Sequence, residues 1–303
     1  MINSNDLHFF NIIASHKTLS SAALALNISP PSVTLRLQGI EDRLGVKLLK
    51  RPSRYVSLTD EGKLILAGAH RIIKELDELQ AAIDNHHNKI SGKLKILAPL
   101  GFGRKYIAPL LGRYMSSHPH LEVELTLSDA PDWFSFNQWD LVIYIGNLKD
   151  SSMRCIKLAS NQRFLCAAPA YLERYSMPTT PSELQQHVCI ALRENNEDVT
   201  LWNFQQNKKN ISIRIQPQYS SNEGATVKEW ALSGLGIAMR SEWDVAAYFR
   251  NGELIQILPS YQLPNADIVI LTSENSTKRS AKIEKFTQLL QEAFLHTPWN
   301  TDE

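Results

Sequence analysis

The segment SPPSVTLRLQGIEDRLGVKLLKRPSR, residues 29–54, combines two prolines, an amphipathic helical pattern and six basic residues. Ser29 is a favourable N-cap, and Pro30 or Pro31 fits a first helical turn, where no amide hydrogen is needed. An apolar stripe with spacings of four, three and four follows, as expected for one face of an α-helix: Val33, Leu37, Ile40 and Leu44. Gly45 is suited to end the helix in a left-handed conformation. We therefore predict an amphipathic helix.

Positive charge is concentrated in and after this predicted helix. From residue 36 to residue 54 the chain has six basic and two acidic residues, an excess of four, although its net charge is only +1. The basic residues are Arg36, Arg43, Lys47, Lys50, Arg51 and Arg54. Duplex DNA suits such a cluster, because phosphate contacts supply affinity without reading sequence. A solvated basic face on a small helical domain is the alternative interpretation.

Two helical patterns precede this segment, and a hairpin pattern follows it. DLHFFNIIAS has an apolar helical stripe, with Asp6 as its expected cap, and LSSAALALNIS predicts a short helix that begins at Ser20 or Ser21 and ends at Asn27. KLLKRPSRYVSLTDEG predicts two short strands around RPSR, which would form a wing. Three helices and a wing indicate a winged helix-turn-helix, whose last helix enters the major groove of DNA.

The residues predicted to contact DNA lie at the start of the second helix, on the polar side of the third helix and in the wing. They are Thr18, Ser20, Pro30, Pro31, Ser32, Thr34, Leu35, Arg36, Gln38, Arg51 and Arg54. Leu35 is the apolar member of this otherwise polar face. If the helix reads bases, Leu35 offers apolar contact, for example to a thymine methyl group.

The run SAALALNISPPSVTLRLQGIEDRLGVKLLKR, followed by LTDEG, closely resembles the N-terminal winged helix-turn-helix of the LysR-type transcriptional regulators. The matching positions are Ala22, Ala23, Leu26, Ser32, Val33, Thr34, Leu37, Ile40, Glu41, Leu44, Gly45, Leu48, Arg51, Leu58, Thr59 and Gly62. Thr34 stands where the family commonly has serine, and Leu35 where it commonly has a long polar or basic side chain. The resemblance implies a regulator that binds double-stranded DNA, with RNA polymerase as a possible protein partner.

A long helical segment without proline runs from Thr59 to about His87. Two apolar series with a spacing of seven, offset by four, follow an a/d heptad pattern: Ile65, Ala69, Ile72, Leu76, Leu79 and Ile83. The pattern predicts a two-stranded coiled coil and hence a homodimer, while a helix packed on its own domain is the alternative. The family resemblance agrees, since the linker helix of these regulators dimerises and many members form tetramers.

From Lys93 onward, strand and helix patterns alternate, which predicts an α/β fold. DLVIYIGNLKDSSMRCIKLASNQRFLCAAPAYLERY and WALSGLGIAMRSEWDV resemble the effector-binding domain of the same regulators, which has two lobes like a periplasmic solute-binding protein. The expected organisation is a winged helix-turn-helix at 1–58, a linker helix at 59–89 and an effector-binding domain at 91–303. Lobe one would comprise 91–161 and 267–303, and lobe two 162–266.

A cleft between the lobes would hold the effector, because ligands of such folds gather beyond the carboxyl ends of strands. PLGFGR and SSNEG each precede a predicted helix whose terminal amides suit an anion, and YIGN ends a strand. The predicted effector contacts are Leu100, Gly101, Phe102, Gly103, Tyr144, Gly146, Ser221 and Asn222, with Arg104 as a possible added charge. Leu100 and Phe102 replace the Ser or Thr that the family often has, and Tyr144 replaces an arginine. We expect a small organic anion; ordinary loop chemistry is the alternative at each position.

Other classes of protein find less support in the sequence. GxSxG, P-loop, HExxH and CxxC motifs are absent, and GFGRKYIAPL lacks the third glycine of a dinucleotide-binding fingerprint, so we expect no enzyme, cofactor or metal site. An α/β enzyme with a DNA-binding head remains an alternative. Cys155 and Cys166 raise another, a thiol redox sensor, although buried cysteines are usually inert.

The compartment is expected to be cytoplasmic and the chain not to contact a membrane. Three scattered cysteines argue against a disulfide framework, and the N-terminus has no charged start before an apolar block. The apolar runs are shorter than the roughly 20 residues that span a bilayer.

Overall fold

The structure is a computed structural model that describes residues 2–50, 55–86, 90–129, 139–146, 154–194, 198–272 and 280–300. The chain divides into two compact units, Met1–Lys89 and Ile90–Glu303. The linker helix therefore belongs to the same unit as the N-terminal helices, which the sequence prediction had separated at residue 58. Arg51 and Arg54, two of the predicted phosphate contacts, lie outside the described residues.

The first unit contains four helices, and their caps differ in part from the prediction. They are α1 (Ser4–Ala14), α2 (Leu19–Ala25), α3 (Pro30–Leu44) and α4 (Asp60–His86). Ser29 caps α3 and Gly45 ends it with a φ of 71°, as predicted. The cap of α1 is Asn3, because Asp6 takes the third helical position and completes a capping box. Thr18 likewise caps α2, one turn earlier than Ser21.

The core of the first unit forms where α3 packs against α1 and α2. The predicted stripe of α3 is buried at Val33, Leu37 and Ile40, while Leu44 is half-buried at its edge. Phe9 and Phe10 of α1 complete this core. Burial of these apolar side chains is the main free-energy term that holds three short helices together.

The predicted wing strands are reduced to a single antiparallel bridge. Leu49 pairs with Leu58, and the amide of Lys50 donates to the carbonyl of Ser57 over 2.8 Å. The described residues on either side of 51–54 therefore approach each other as in a hairpin but form no named strand. The carboxylate of Glu41 fastens this region to α3 by accepting hydrogen bonds from the amides of Leu48 (2.9 Å) and Leu49 (3.4 Å).

The second unit contains two five-stranded sheets with helices packed against them. The first sheet has the order β2-β1-β3-β12-β4, with β1 (Gly92–Ala98), β2 (Leu121–Leu127), β3 (Leu141–Ile145), β4 (Arg154–Ala159) and β12 (Ile268–Thr272). β1 runs parallel to β2 and β3, whereas β12 is antiparallel to β3 and β4. Its helices are α5 (Leu100–Phe102), which continues through a π-helical turn (Gly103–Ile107) into α6 (Ala108–Ser116), and α10 (Ala281–Ala293). We call this part lobe one.

The second sheet has the order β11-β5-β10-β6-β9, with β5 (Arg163–Ala167), β6 (Cys189–Leu192), β9 (Pro217–Ser221), β10 (Ile237–Ser241) and β11 (Ile255–Ile257). Its helices are α7 (Pro169–Leu172), a 3₁₀ turn (Pro181–Gln186), α8 (Gly224–Leu232) and α9 (Glu242–Arg250). A separate hairpin joins β7 (Leu201–Gln206) to β8 (Lys209–Arg214). We call this part lobe two.

The chain passes between the lobes twice, and one buried side chain links the two crossings. The backbones of Asn161 and Ala266 are joined by a hydrogen bond of 3.1 Å, and the Asn161 amide group donates to the Ala266 carbonyl over 2.9 Å. The Asn161 side-chain oxygen also accepts from the amide of Trp243 at the start of α9. These bonds fix the crossings beside the cleft. Within the described part of the chain, no helix is long and apolar enough to cross a bilayer.

Candidate DNA-binding surface and effector cleft

The predicted DNA-contacting residues of α3 lie on its exposed face. Pro30, Pro31, Ser32, Arg36 and Gln38 are exposed. Thr34 is half-buried, and its hydroxyl donates to the Pro30 carbonyl over 3.2 Å. Leu35 is 73% exposed, so an apolar side chain stands in the middle of a polar surface. At the start of α2, Ser20 is exposed, whereas the hydroxyl of Thr18 accepts a hydrogen bond from the amide of Ser21. This hydrogen bond gives Thr18 a structural role as a cap.

Three of the six basic side chains are engaged within the first unit. Arg36 donates to the Asn5 carbonyl over 3.1 Å and lies 4.3 Å from the centre of the Phe9 ring. Arg43 pairs with the buried Asp6 at 2.7 Å, and Lys47 pairs with the buried Glu41 at 2.9 Å. These three basic side chains therefore stabilise the fold of the first unit, in addition to any contact with a partner. The sequence prediction did not include this structural role.

The predicted coiled-coil stripe of α4 divides into two parts. Ala69 is fully buried and Ile65 is half-buried against the core of α1, α2 and α3. This corrects the prediction for these two residues, because the first part of α4 lies against α1 and the stripe there has an intramolecular partner. The remaining members stay exposed to 40%, 43%, 60% and 50%: Ile72, Leu76, Leu79 and Ile83.

A cleft of about 760 Å³ lies between the two sheets of the second unit and is lined by both lobes. Of the predicted effector contacts, Gly101 and Tyr144 line it. The prediction that Phe102 contacts the effector is wrong, because Phe102 is fully buried. Its ring packs against Tyr106, Trp243 and Phe294. Gly103 is also buried, and a side chain there would collide with Leu127 and Ala98.

The remaining predicted contacts lie outside this lining. Gly146 adopts a φ of 137° beside the Tyr144 ring, a conformation that favours glycine. Ser221 accepts a hydrogen bond from the amide of Glu223, and Asn222 is exposed. These residues therefore shape the loops near the cleft. Arg104, considered only as an added charge, does line the cleft.

Both helix N-termini that the sequence assigned to an effector anion already hold a carboxylate of the chain. Glu223 caps α8 by accepting from the amides of Ala225 (3.0 Å) and Thr226 (2.6 Å). The amide of Leu100, which begins α5, donates to Asp129 over 2.8 Å. Any anion bound in the cleft would therefore find its main partners among side chains.

A buried group of charges that sequence reasoning missed lines part of the cleft. Arg240 donates two hydrogen bonds to the same oxygen of Asp244, of 3.0 and 2.7 Å, and Lys228 donates to the other oxygen over 2.9 Å. Burial by itself would raise the pKa of Asp244, but Arg240 and Lys228 hold it below its ordinary value. The spacing of Arg240 and Asp244, four residues, was visible in the sequence. Their common burial was not.

A further lysine enters this group from lobe one. Lys105 donates to the Trp243 carbonyl over 3.3 Å and lies 5.1 Å from the centre of the Tyr106 ring. Burial lowers the pKa of the Lys105 ammonium, and the charge of Lys228 lowers it further, while Asp244 acts in the opposite sense. Lys105, Lys228, Arg240 and Asp244 all line the cleft.

All three cysteines lie in environments that favour the thiol over the thiolate. All three are free thiols: Cys155 is exposed, and Cys166 and Cys189 are buried. Burial raises the pKa of Cys166 and of Cys189 to about 12, and it also raises the pKa of Cys155. Because the thiolate is the reactive form, these environments disfavour reaction with an oxidant. Within the described ranges, no three His, Cys, Asp or Glu side chains are grouped to hold a metal ion.

Two family models match the chain. The model described as a bacterial regulatory helix-turn-helix protein of the lysR family covers residues 4–63, and the model described as the LysR substrate binding domain covers residues 87–295. Together they account for the two units of the structure. This family consists of transcription regulators and not of enzymes.

Curated relatives match over most of their length. The chain is 31% identical to the HTH-type transcriptional regulator DmlR of Escherichia coli K12 over 290 residues, 96% of this chain and 94% of the relative. It is 34% identical to the HTH-type transcriptional activator TtdR of the same strain over 265 residues, 86% of each protein.

Solved structures share the fold. The full-length structure of the Vibrio cholerae virulence activator AphB has a TM-score of 0.65 at 22% identity, covering 97% of this chain and all of that one. CrgA of Neisseria meningitidis has a TM-score of 0.60 at 24% identity, covering 97% and 99%. At these identities the similarity shows the fold alone.

Proposed function

The chain belongs to the LysR family of DNA-binding transcription regulators, and on that premise we propose that it acts as a homo-oligomer. In our proposal its paired α3 helices read a pseudo-palindromic operator, and a small organic anion controls this binding. The single observation that carries the proposal is the exposed face of α3. It begins at a capped N-terminus, follows α2 through a short turn and carries Pro31, Leu35 and Gln38 outward. That arrangement suits insertion into the major groove.

The homodimer is supported by the exposed part of the α4 stripe. Ile72, Leu76, Leu79 and Ile83 follow the spacings of four, three and four of a coiled-coil seam, and each is at least 40% exposed in the single chain. A helix with such an apolar row gains free energy by pairing with a second copy. Two copies would present two α3 helices for two half-sites about one helical turn apart, or a multiple of it.

The effector is proposed to bind in the cleft of the second unit. Its volume of about 760 Å³ is in the range of small-molecule sites, and both lobes contribute charged side chains to it. A ligand can change the arrangement of the lobes only if it binds one arrangement more tightly than the other. We propose that closure of the cleft changes the spacing of the DNA-binding units.

A salt-dependent binding experiment tests the DNA-binding part of the proposal. The full-length chain is titrated into the duplex upstream of its own coding sequence at increasing salt, with an unrelated duplex for comparison. We expect the logarithm of the binding constant to fall linearly with the logarithm of salt concentration, because phosphate contacts release counterions. Binding that is equally weak on both duplexes and insensitive to salt would contradict the proposal.

Variants of the basic residues separate phosphate contact from structural effects. Arg51→Ala and Arg54→Ala are expected to weaken binding to every duplex and to reduce the salt slope by about one each. Arg36→Ala should weaken binding too, and it should also lower the thermal midpoint of the first unit, because Arg36 contacts Asn5 and Phe9. Lys209→Gln, an exposed change on the β7–β8 hairpin, serves as the control and should leave the slope unchanged.

A further inference from the structure

Two lysines, one from each lobe, reach neighbouring atoms of α9. Lys105 comes from the π-helical turn of lobe one, and its ammonium contacts the carbonyl of Trp243. Lys228 comes from α8 of lobe two, and its ammonium contacts the carboxylate of Asp244, the next residue. Both lysines line the cleft, and the positive charge of Lys228 helps to lower the pKa of the Lys105 ammonium, so the two charges repel each other.

The charges around these lysines do not balance. Lys105, Lys228 and Arg240 all interact with the carboxylate of Asp244, and Arg240 also interacts with that of Asp129, so the group carries an excess of one positive charge, three minus two. Half-buried charges without full compensation are costly, and an added anion removes that cost.

The other charged residues of the lining have partners of opposite sign. The positive charge of Arg104 lowers the pKa of Glu223. Arg163 forms an ion pair with Glu194 at 3.7 Å, and Asp198 accepts a hydrogen bond from Arg214 over 2.9 Å. The excess of positive charge is therefore localised around Lys105, Lys228 and Arg240.

The two ammonium groups are suited to bind an anion together. An ammonium has three N–H donors, and each of the contacts to Trp243 and Asp244 engages one of them. Arg240 is committed to Asp244 by two hydrogen bonds in a buried position, so Asp244 stays in place when Lys228 turns. A carboxylate or phosphate group can accept from both lysines at once, with charge-assisted hydrogen bonds.

α9 connects this group of charges to lobe one. α9 follows directly after β10 of lobe two. Its Trp243 ring nevertheless packs in the core of lobe one, where its centre lies 5.4 Å from that of the Phe102 ring. Arg250 at the end of α9 donates to the Trp299 carbonyl over 2.8 Å. Because α9 packs against lobe one, a change in the contact between Lys228 and α9 also changes how α8 of lobe two is connected to lobe one.

We propose that the anionic group of the effector bridges Lys105 of lobe one and Lys228 of lobe two and thereby closes the cleft. The inference rests on the proposed function, that the cleft is the effector site. The anion removes the repulsion between the two ammonium groups and gives each lobe a hydrogen bond to the same ligand. An arrangement in which both ammonium groups reach the anion binds it more tightly than one in which a single group does, so the ligand shifts the population toward the former.

Calorimetric titration of the full-length chain tests the bridge, with sodium acetate, sodium succinate and sodium phosphate as probes. Acetate and phosphate distinguish a carboxylate site from a phosphate site, and succinate adds a second carboxylate. We expect the wild-type chain to bind at least one probe, and Lys105→Gln or Lys228→Gln each to weaken that binding about tenfold, the usual effect of losing one charge-assisted hydrogen bond. The double variant should be weaker than either single one but by less than the two losses added together, because each single change already breaks the bridge.

Three further variants keep the outcome interpretable. Lys105→Arg and Lys228→Arg retain the charge and should bind more tightly than the matching glutamine variants. Lys209→Gln is an exposed lysine change outside the cleft and should bind as the wild type does. A thermal midpoint for each variant shows whether it is folded.

The outcomes separate the bridge from the function on which it rests. If the wild type binds a probe and both glutamine variants bind like Lys209→Gln, the bridge is wrong while the cleft stays the effector site. Losses that add in the double variant also overturn the bridge, since independent contacts would behave so. If the wild type binds none of the probes, both the bridge and a small-anion effector are contradicted. X-ray scattering adds a second readout, since only a bridged chain becomes more compact with the probe.

Discussion

The guanidinium of Arg240 and the carboxylate of Asp244 are joined by two hydrogen bonds to one oxygen, and both side chains are only 6% exposed. Removing Arg240 takes two charge-assisted hydrogen bonds from the buried carboxylate of Asp244 and leaves Lys228 as its remaining partner, which costs about 2–3 kcal/mol. We predict that Arg240→Met lowers the free energy of unfolding of the second unit by about that amount and that Asp244→Leu costs more, because it leaves both Arg240 and Lys228 without their carboxylate. Denaturant unfolding measures both.

The exposed pair Arg214–Asp198 is the matched control for that prediction. Its distance, 2.9 Å, is similar, but its side chains are 62% and 52% exposed. Arg214→Met should therefore cost much less than Arg240→Met. Equal losses in Arg240→Met and Arg214→Met would show that burial of the Arg240–Asp244 pair has no energetic consequence.

The stability of the first unit should depend on pH through Glu41. Burial raises the pKa of Glu41, but hydrogen bonds from Leu48, Lys47 and Leu49 outweigh it and hold the pKa below its ordinary value. As pH falls, the unfolded chain therefore binds the proton first, and the stabilisation by Glu41 is lost as the pH passes through the lower pKa of the folded state. Above the ordinary pKa of a glutamate, the contribution is complete.

Glu41→Gln tests this dependence, because it keeps the shape and removes the charge. We predict a loss of about 2 kcal/mol at neutral pH, since two buried amides and Lys47 lose a charged acceptor. The loss should shrink toward acid pH in denaturant unfolding. Lys47→Gln, with a side chain 58% exposed, is the control and should cost well under about 1 kcal/mol. A loss for Glu41→Gln that stays constant with pH would refute the linkage.

Asn161 is expected to stabilise the two crossings between the lobes. Asn161→Ala removes the bond to the Ala266 carbonyl and leaves the amide of Trp243 without its acceptor. We predict a loss of about 2–3 kcal/mol in the second unit, because buried groups lose partners. Hydrogen exchange of the Trp243 amide should become faster. Asn203→Ala, on the exposed face of β7, should change stability by less than about 0.5 kcal/mol and leave that exchange rate as it was.

The proposed dimer should depend on the exposed half of the α4 stripe. Ile72→Asp places a charge in the predicted seam and should convert the dimer to a monomer in sedimentation experiments, because an unpaired charge cannot be buried there. Leu64→Asp is the control: Leu64 is 74% exposed on the same helix but lies outside the heptad series. A dimer that survives Ile72→Asp, or that is lost equally in Leu64→Asp, would reject the seam.

Local chemistry explains why the first unit was largely predictable from the sequence. Ser29, the two prolines and Gly45 act within α3 itself, and the stripe of Val33, Leu37 and Ile40 is buried as its spacing requires. The misplaced caps of α1 and α2 were each within one turn of the true ones. The roles of Arg36 and Arg43 were missed because their partners, in α1, are more than 30 positions away in the chain.

The cleft was less predictable because it forms from contacts that are distant in sequence. Lys105 and Trp243 are 138 positions apart, and Lys228 and Asp244 lie on different helices. Phe102 was assigned to the cleft by its position in a loop, but the fold turns it into the aromatic core. The anion sites at two helix N-termini failed because Glu223 and Asp129 occupy those amides, which the sequence pattern did not reveal.

The central claim, that α3 reads DNA bases, is tested most directly by selection of duplexes from a randomised library with the full-length wild type and with Leu35→Ala. We predict that the wild type enriches a pseudo-palindrome of two half-sites and that Leu35→Ala enriches a site altered at one base position in each half, since Leu35 is exposed on the reading face. Enrichment of the same site by both chains would contradict Leu35 as a base contact. No enrichment by the wild type would contradict the account as a whole.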